Sequence, residues 1–207
     1  MGGIVYELER EALDESVAIE ALLRKAFLVA RKLKLKEFEE WITKEQNGYT
    51  GEVPEYRMIS GNYKALNPYR GGWVPVVLSP NVEKVLGSVP LHNSISSLWD
   101  VYTTSEGNIT FTVRAEVREL LNKSSDGYDT QFSFCSSRSE IYRIISTVRN
   151  KILEWALLLE ENNIIGEGMT FTAEEKRVAK ETQIINNYTN NFYSDVSGID
   201  MQQGKSE

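Results

Sequence analysis

The sequence predicts an α+β fold with helices at the N-terminus, a central antiparallel sheet with turns, and a long core helix near the C-terminus. Three observations predict it. Apolar residues recur at helical spacing through the first quarter of the chain, all five Pro residues lie in the middle among short alternating segments, and helical spacing returns over residues 141–159. Helices, then strands, then helices favour an antiparallel sheet over a parallel α/β arrangement.

The first quarter is predicted to form two or three amphipathic helices. In the longest helix the apolar residues recur at steps of three and one, which places them on one face: Ile19, Leu22, Leu23, Ala26, Phe27, Ala30 and Leu33. A shorter helix precedes it on Ile4, Leu8 and Ala12, and Ser16 is the expected N-cap of the longer one. A third helix around Trp41 is expected to end at Asn47-Gly48.

The segment from Tyr49 to Pro90 is rich in Pro and Gly, so we expect no helix there. Tyr56–Leu66 and Trp73–Leu78 are predicted strands, joined by a turn over Asn67–Gly72. Four shorter elements follow: a helix over Ser94–Tyr102, strands over Asn108–Val113 and Thr130–Phe134, and a helix over Ala115–Leu121 between those strands.

A long helix is predicted after Ser137, where Ser137-Arg138-Ser139-Glu140 matches a capping box. Its apolar residues step by four and three: Ile141, Ile145, Val148, Ile152, Trp155 and Leu159. Because this seam is shorter than three heptads, we favour the core spine of a single domain, and a homotypic helix pair is the alternative. A second capping box, Thr172 to Glu175, opens a last helix that is expected to end near Gln183.

Residues 1–183 are therefore predicted to form one α+β domain, and residues 184–207 a flexible tail rich in Asn and Gln. The tail is either a disordered end or a segment that assembles, since Asn/Gln amides can stack in register while apolar side chains form a dry zipper. The candidate assembly residues are Phe192, Val196, Ile199, Met201, Gln202 and Gln203.

The composition excludes several classes of protein. With one Cys and one His, the chain cannot close an intramolecular disulfide or build a Cys/His zinc cage by itself. Acidic residues outnumber basic ones by 30 to 23, and no segment is strongly basic, which argues against a nucleic-acid partner. The basic run Arg31–Lys36 is interpreted as a solvated helix end. No signal peptide or membrane span is expected, so we predict a cytoplasmic protein.

No motif assigns catalytic residues, a metal site or a cofactor. His92 and Cys135 lie far apart in the sequence, and a structural role is the favoured interpretation of His92. The best candidate for a ligand contact is the aromatic, Gly-containing turn that carries Asn67, Tyr69, Arg70 and Trp73. The favoured interpretation of this turn is nevertheless a plain hairpin with Trp73 folded onto the core, and a ligand contact is the alternative.

Several of these stretches together resemble the AbiTii domain family, one component of a two-gene abortive-infection system by which bacteria resist phage. The resemblance is carried by Leu22–Ala26, Ala30–Leu33, Glu37–Ile42, Asn47–Tyr49, Pro54–Arg57, Asn67–Tyr69 and Gly72–Pro75, and later by Ile152–Gly168 with Phe171 and Glu175. It implies a role in phage defence beside a partner protein, and it supplies no catalytic residues.

The leading interpretation is an interaction or sensor domain of such a system, acting through a partner protein and self-assembly. An enzymatic effector, such as a metal-dependent nuclease built from scattered carboxylates, is the alternative.

Overall fold

The structure is a computed structural model that describes residues 2–123 and 130–182, and it confirms the predicted α+β class. The helices are α1 (Ile4–Leu13), α2 (Ile19–Leu33), α3 (Lys36–Asn47), α4 (Pro80–Leu86), α5 (Ile95–Thr104), α6 (Ala115–Lys123), α7 (Arg138–Glu161) and α8 (Ala173–Glu181), with a 3₁₀ turn at Glu55–Arg57. The strands are β1 (Met58–Leu66), β2 (Trp73–Pro75), β3 (Ser88–Pro90), β4 (Asn108–Thr112) and β5 (Phe132–Ser137).

The strands form one antiparallel sheet with β1 at its centre. The order along the sheet is β2-β1-β5-β4, and β3 also pairs with β1. Strands β2 and β3 share one edge of β1, because the Tyr63 carbonyl accepts from Val76 N–H and Gly61 N–H donates to the Gly87 carbonyl on that edge. Strand β2 therefore pairs only with the last three residues of β1 and ends at Pro75, short of the predicted Leu78.

Helix α7 is the spine of the helical part of the molecule, as predicted from its seam. The seam residues Ile141, Ile145, Val148, Ile152, Trp155 and Leu159 are all buried in the chain's own core. The Trp155 ring stacks on Phe38 of α3 with their centroids 3.9 Å apart. Helix α7 also packs against α1 and α5, so one long helix joins the N-terminal helices to the helix that precedes β4.

Three arginines of α7 tie this spine to other elements through backbone carbonyls. Arg149 donates to the carbonyls of Glu11, Asp14 and Val17, at 2.6–3.1 Å, and so holds the link between α1 and α2. Arg143 donates in the same way to Tyr56 and Met58, at the start of β1, and Arg138 to Tyr102 at the end of α5. Each guanidinium thus binds carbonyls at or beside the ends of helices and strands, where the regular backbone hydrogen bonds stop.

Two expectations about helix starts and breaks were wrong. The N-cap of α2 is Ala18, not Ser16, because the Ser16 hydroxyl and N–H both donate to Asp14 Oδ1, at 2.6 and 2.9 Å, in a local turn. Helix α4 forms inside the Pro-rich segment, where no helix was expected. It begins at Pro80, and Pro is well suited to the first helical position because its missing N–H would have no intrahelical partner there.

Of the two predicted capping boxes, one is present and one is not. Thr172 and Glu175 exchange both bonds of the box, at 3.1 and 2.7 Å. At α7 the Ser137 hydroxyl accepts from Ser139 N–H, but the Glu140 carboxylate accepts from Ser60 N–H and from Arg143 instead of closing the box. Glu140 thus links α7 to β1.

Candidate binding surface

The turn that the sequence singled out joins β1 to β2 and is held by its own hydrogen bonds. Asn67 Oδ1 accepts from the N–H groups of Tyr69 and Arg70, at 2.9 and 3.2 Å, and the Asn67 backbone bonds to both Gly71 and Gly72. The two glycines have φ of 60° and 130°, in the left-handed region that other residues rarely adopt. The turn therefore presents Tyr69 and Arg70 from a fixed backbone.

We call residues 64–77 the hairpin arm: the last residues of β1, the turn, β2 and the two residues after it. Four of its large apolar side chains are exposed, with Tyr69 at 81%, Trp73 at 47%, Val74 at 43% and Val77 at 94%, whereas Leu66 and Val76 are half-buried. The expectation that Trp73 folds onto the core is thus wrong, because β2 is an edge strand whose three residues are all exposed. In the described part of the chain, these four make up a third of the twelve exposed large hydrophobics.

The charge of the arm differs from that of the whole chain. Residues 56–82 contain no Asp or Glu, although the chain has 30. The arm carries two cations, Lys64 and Arg70, and among the described residues neither side chain takes part in a salt bridge. The arm is therefore an apolar and basic surface on an acidic protein.

Trp73 shares a sheet face with polar residues. It pairs with Leu66, and because alternate residues of a strand point to the same face, Lys64 and Asn62 lie on that face too. Next to them on β5 are Ser133 and Cys135. A cavity of about 670 Å³ lies over this face, lined by residues of β1, β5 and α4 and by Glu140. A cavity lined mainly by polar residues thus lies on the sheet face that Trp73 shares.

Glu140 stands at one side of this cavity as a well-bonded carboxylate. Partial burial raises its pKa, but hydrogen bonds from Arg143 and from the Ser60 N–H outweigh that effect, so its pKa lies below its ordinary value. Cys135 lies between two hydroxyls, with Sγ 3.8 Å from Thr110 Oγ1 and 3.9 Å from Ser133 Oγ. His92 is elsewhere, in the loop after β3, where its Nε2 lies 2.9 Å from the Gly51 carbonyl oxygen.

Sequence reasoning missed a buried ion pair between Glu45 of α3 and Arg57. Both side chains are fully buried. Glu45 Oε1 also accepts from the hydroxyls of Tyr49 and Tyr56, at 2.6 and 2.5 Å, and the indole of Trp41 donates to the Tyr56 hydroxyl. Arg57 completes the cluster by donating to the carbonyls of Leu91 and Asn93, which joins α3, the 3₁₀ turn before β1 and the loop after β3.

The electrostatics of this cluster fix its protonation. Burial, followed by the neighbouring Glu45 carboxylate, raises the pKa of both tyrosines, so they stay neutral donors. Burial alone would lower the pKa of Arg57, but pairing with Glu45 raises it overall. The one sequence feature that could have indicated this cluster is the closeness of Tyr49 and Tyr56 to Glu45, which they follow by 4 and 11 residues. The cluster is a structural tie.

The basic run on α2 and α3 makes local contacts, as a helix end does. Arg31 pairs with Glu39 at 2.7 Å, and Lys32 donates to the Met169 carbonyl. Lys34 is the left-handed C-cap of α2. Two of its four cations therefore bind groups of the same domain.

Two findings bear on other predicted features. The tail residues Phe192, Val196, Ile199, Met201, Gln202 and Gln203 lie outside the described residues, so their role in assembly stays a prediction. Within residues 2–123 and 130–182, no helix has the length and apolarity that crossing a bilayer requires, and no three His, Cys, Asp or Glu side chains lie where they could hold a metal ion.

Comparison with known proteins identifies the family. The sequence model of the family described as AbiTii matches residues 3–184, most of the chain and all of its described helices and strands. Neither curated proteins nor solved structures give a significant match. The chain therefore belongs to the AbiTii family, which assigns it to abortive-infection defence against phage.

Proposed function

We propose that this chain is an interaction or sensor domain of its defence system, and that it acts by binding another protein through the hairpin arm. The bound protein is a partner from the same system or a second copy of this chain. The proposal depends on one observation, the concentration of exposed apolar side chains at Tyr69, Trp73, Val74 and Val77.

The composition of the arm matches that of protein contact surfaces. Trp, Tyr and Arg are the residues that most often dominate binding energy, and the arm offers one of each in Trp73, Tyr69 and Arg70. Clustered exposed apolar side chains on a soluble protein typically mark an interaction site. Because the Asn67 hydrogen bonds already fix the turn, binding has less conformational entropy to overcome.

The bonding of the Glu45 and Glu140 carboxylates also favours a binding role over a catalytic one. The Glu45 carboxylate is occupied by Arg57 and two tyrosines, and Glu140 by Arg143 and the β1 backbone. These carboxylates hold the domain together, whereas Tyr69, Arg70 and Trp73 on the arm are exposed.

The test is a phage-plating assay on cells that carry the complete defence system. We expect the double variant Tyr69→Ser/Trp73→Ser to lose protection while the purified protein keeps its melting temperature. The matched control is Leu13→Ser, which alters a 70% exposed apolar side chain on α1, away from the arm, and should protect as the unaltered chain does.

Retention of full protection by the arm variant would overturn the proposal. So would growth arrest by the chain expressed alone, if single carboxylate-to-Ala changes relieved it, because that result identifies an enzymatic effector.

A further inference from the structure

We propose that the occupant of the hairpin arm is the tail segment 188–201 of a second copy of this chain. The inference rests on the proposed function, namely that the arm is a contact surface, and it names the partner. The resulting contact is head-to-tail, since the arm and the tail segment are different parts of the molecule.

The arm sets the chemistry that its occupant must have. Its exposed side chains are apolar or aromatic, and its only charges are the cations Lys64 and Arg70. Neither cation takes part in a salt bridge among the described residues, so both are available to a carboxylate of the occupant. The fitting occupant is therefore a segment with aromatic and aliphatic side chains, at least one carboxylate and no cation.

The tail segment has this composition. Residues 184–204 contain two acidic residues, Asp195 and Asp200, and no Lys or Arg. The apolar side chains around them are Tyr188, Phe192, Tyr193, Val196, Ile199 and Met201. The arm lacks anions and the tail segment lacks cations, so the two are complementary in charge, and each is repelled by a second copy of itself.

The position of α8 favours a second copy. Helix α8, the last described element, packs against α2 in the helical part of the molecule, whereas the arm extends from the edge of the sheet. The tail segment begins six residues after Thr182. Each copy offers one arm and one tail segment, so each copy can bind a second and be bound by a third.

The experiment uses two full-length variants, each with one half of the contact disabled. Arg70→Ser/Trp73→Ser disables the arm and keeps the tail segment, and because Ser is neutral the altered arm does not attract the reversed charges of the altered tail. Asp195→Arg/Asp200→Arg disables the tail segment and keeps the arm. Sedimentation velocity is measured for the unaltered chain, for each variant alone and for the two variants mixed in equal amounts.

We expect the unaltered chain to associate as its concentration rises. Each variant alone should stay monomeric at the same concentrations, because its dissociation constant for self-association is raised by roughly tenfold or more. The mixture should form a one-to-one heterodimer that grows no further, because only one intact arm and one intact tail segment remain. Arg24→Glu, a charge reversal on the exposed surface of α2, is the matched control and should associate like the unaltered chain.

Three results would overturn the inference: a monomeric unaltered chain at all concentrations, undiminished association of either variant, or a mixture without heterodimer. These failures are distinct from failure of the proposed function. If Tyr69→Ser/Trp73→Ser loses phage protection but the mixture forms no heterodimer, the arm binds a different protein and only the inference fails.

Discussion

The buried cluster around Glu45 and the hairpin arm use polar and aromatic residues in opposite ways. In the cluster, the carboxylate accepts from two tyrosine hydroxyls and from Arg57, and none of these donors is left for an external partner. In the arm, a tyrosine, a tryptophan and an arginine are exposed. Only the backbone of the arm is tightly bonded, through Asn67.

The difference indicates that the cluster stabilises the domain and that the arm is available for binding. Changes in the cluster and in the α7 contacts should lower stability, and function should follow only through unfolding. Changes in the arm should leave stability unaltered and act on binding directly. The free energy of unfolding, measured for variants of each region, separates these two outcomes.

Replacing Arg57 by Met should destabilise the protein most, by about 3–5 kcal/mol, because it leaves the Glu45 carboxylate buried without its cation. Urea unfolding measures the free energy. The double variant Glu45→Met/Arg57→Met should lose less than the single variant, since no buried charge remains. A loss below about 1 kcal/mol for Arg57→Met would contradict the role assigned to the cluster.

Replacing Arg149 by Met should cost about 1.5–3 kcal/mol, because three backbone carbonyls at the α1–α2 link lose their charged donor. Hydrogen exchange should then speed up in the last turn of α1. Arg24→Met, which breaks only an exposed pair, is the control and should change stability by less than about 0.5 kcal/mol. Equal effects of the two substitutions would refute the importance of the carbonyl contacts.

Replacing Glu175 by Gln should cost about 1–2 kcal/mol at neutral pH, because the carboxylate accepts from Thr172, Ile165 and Gly166. Partial burial raises its pKa, but these hydrogen bonds outweigh burial, so the folded pKa lies below the ordinary value of 4.5. A lowered pKa stabilises the fold above the unfolded-state pKa, and this contribution is lost as the pH falls through the folded-state value.

The stability difference between the unaltered chain and Glu175→Gln should accordingly shrink as the pH is lowered from 7 towards 3. Unfolding curves at several pH values measure it. A difference that stays constant over this range would show that the charge of Glu175 contributes nothing.

The variant Tyr69→Ser/Trp73→Ser should have the smallest effect on stability, within about 0.5 kcal/mol for each substitution, because Tyr69 is largely exposed and Trp73 lies about half exposed on an edge strand. Thermal unfolding followed by circular dichroism is the measurement. A large fall in Tm would mean that these side chains support the fold, and the comparison between cluster and arm would then break down.

The long helices α2 and α7 were predictable from the sequence, because their apolar residues recur at helical spacing and these residues form the buried face of each helix. The turn from Asn67 to Gly72 was predictable from its own residues. Contacts between distant residues were not. Glu140 completes a local capping motif in the sequence, yet it bonds to Ser60, 80 residues away.

The candidate site was predictable only in part. Its residues could be named because an aromatic turn with Gly is an unusual local pattern. Whether Trp73 packs inward or outward depends on how far β2 pairs with β1 and on what covers that sheet face, and no local pattern encodes either.

Hydroxyl-radical footprinting tests the central claim most directly, applied to the purified chain and to the same chain in cells that carry the complete defence system. We expect Tyr69 and Trp73 to oxidise readily in the purified chain when it is dilute enough to be monomeric and to become protected in those cells, while the partly exposed Trp99 of α5 reacts alike in both. Protection of Trp99 with unchanged Tyr69 and Trp73 would show that the contact surface lies on the helices and not on the hairpin arm.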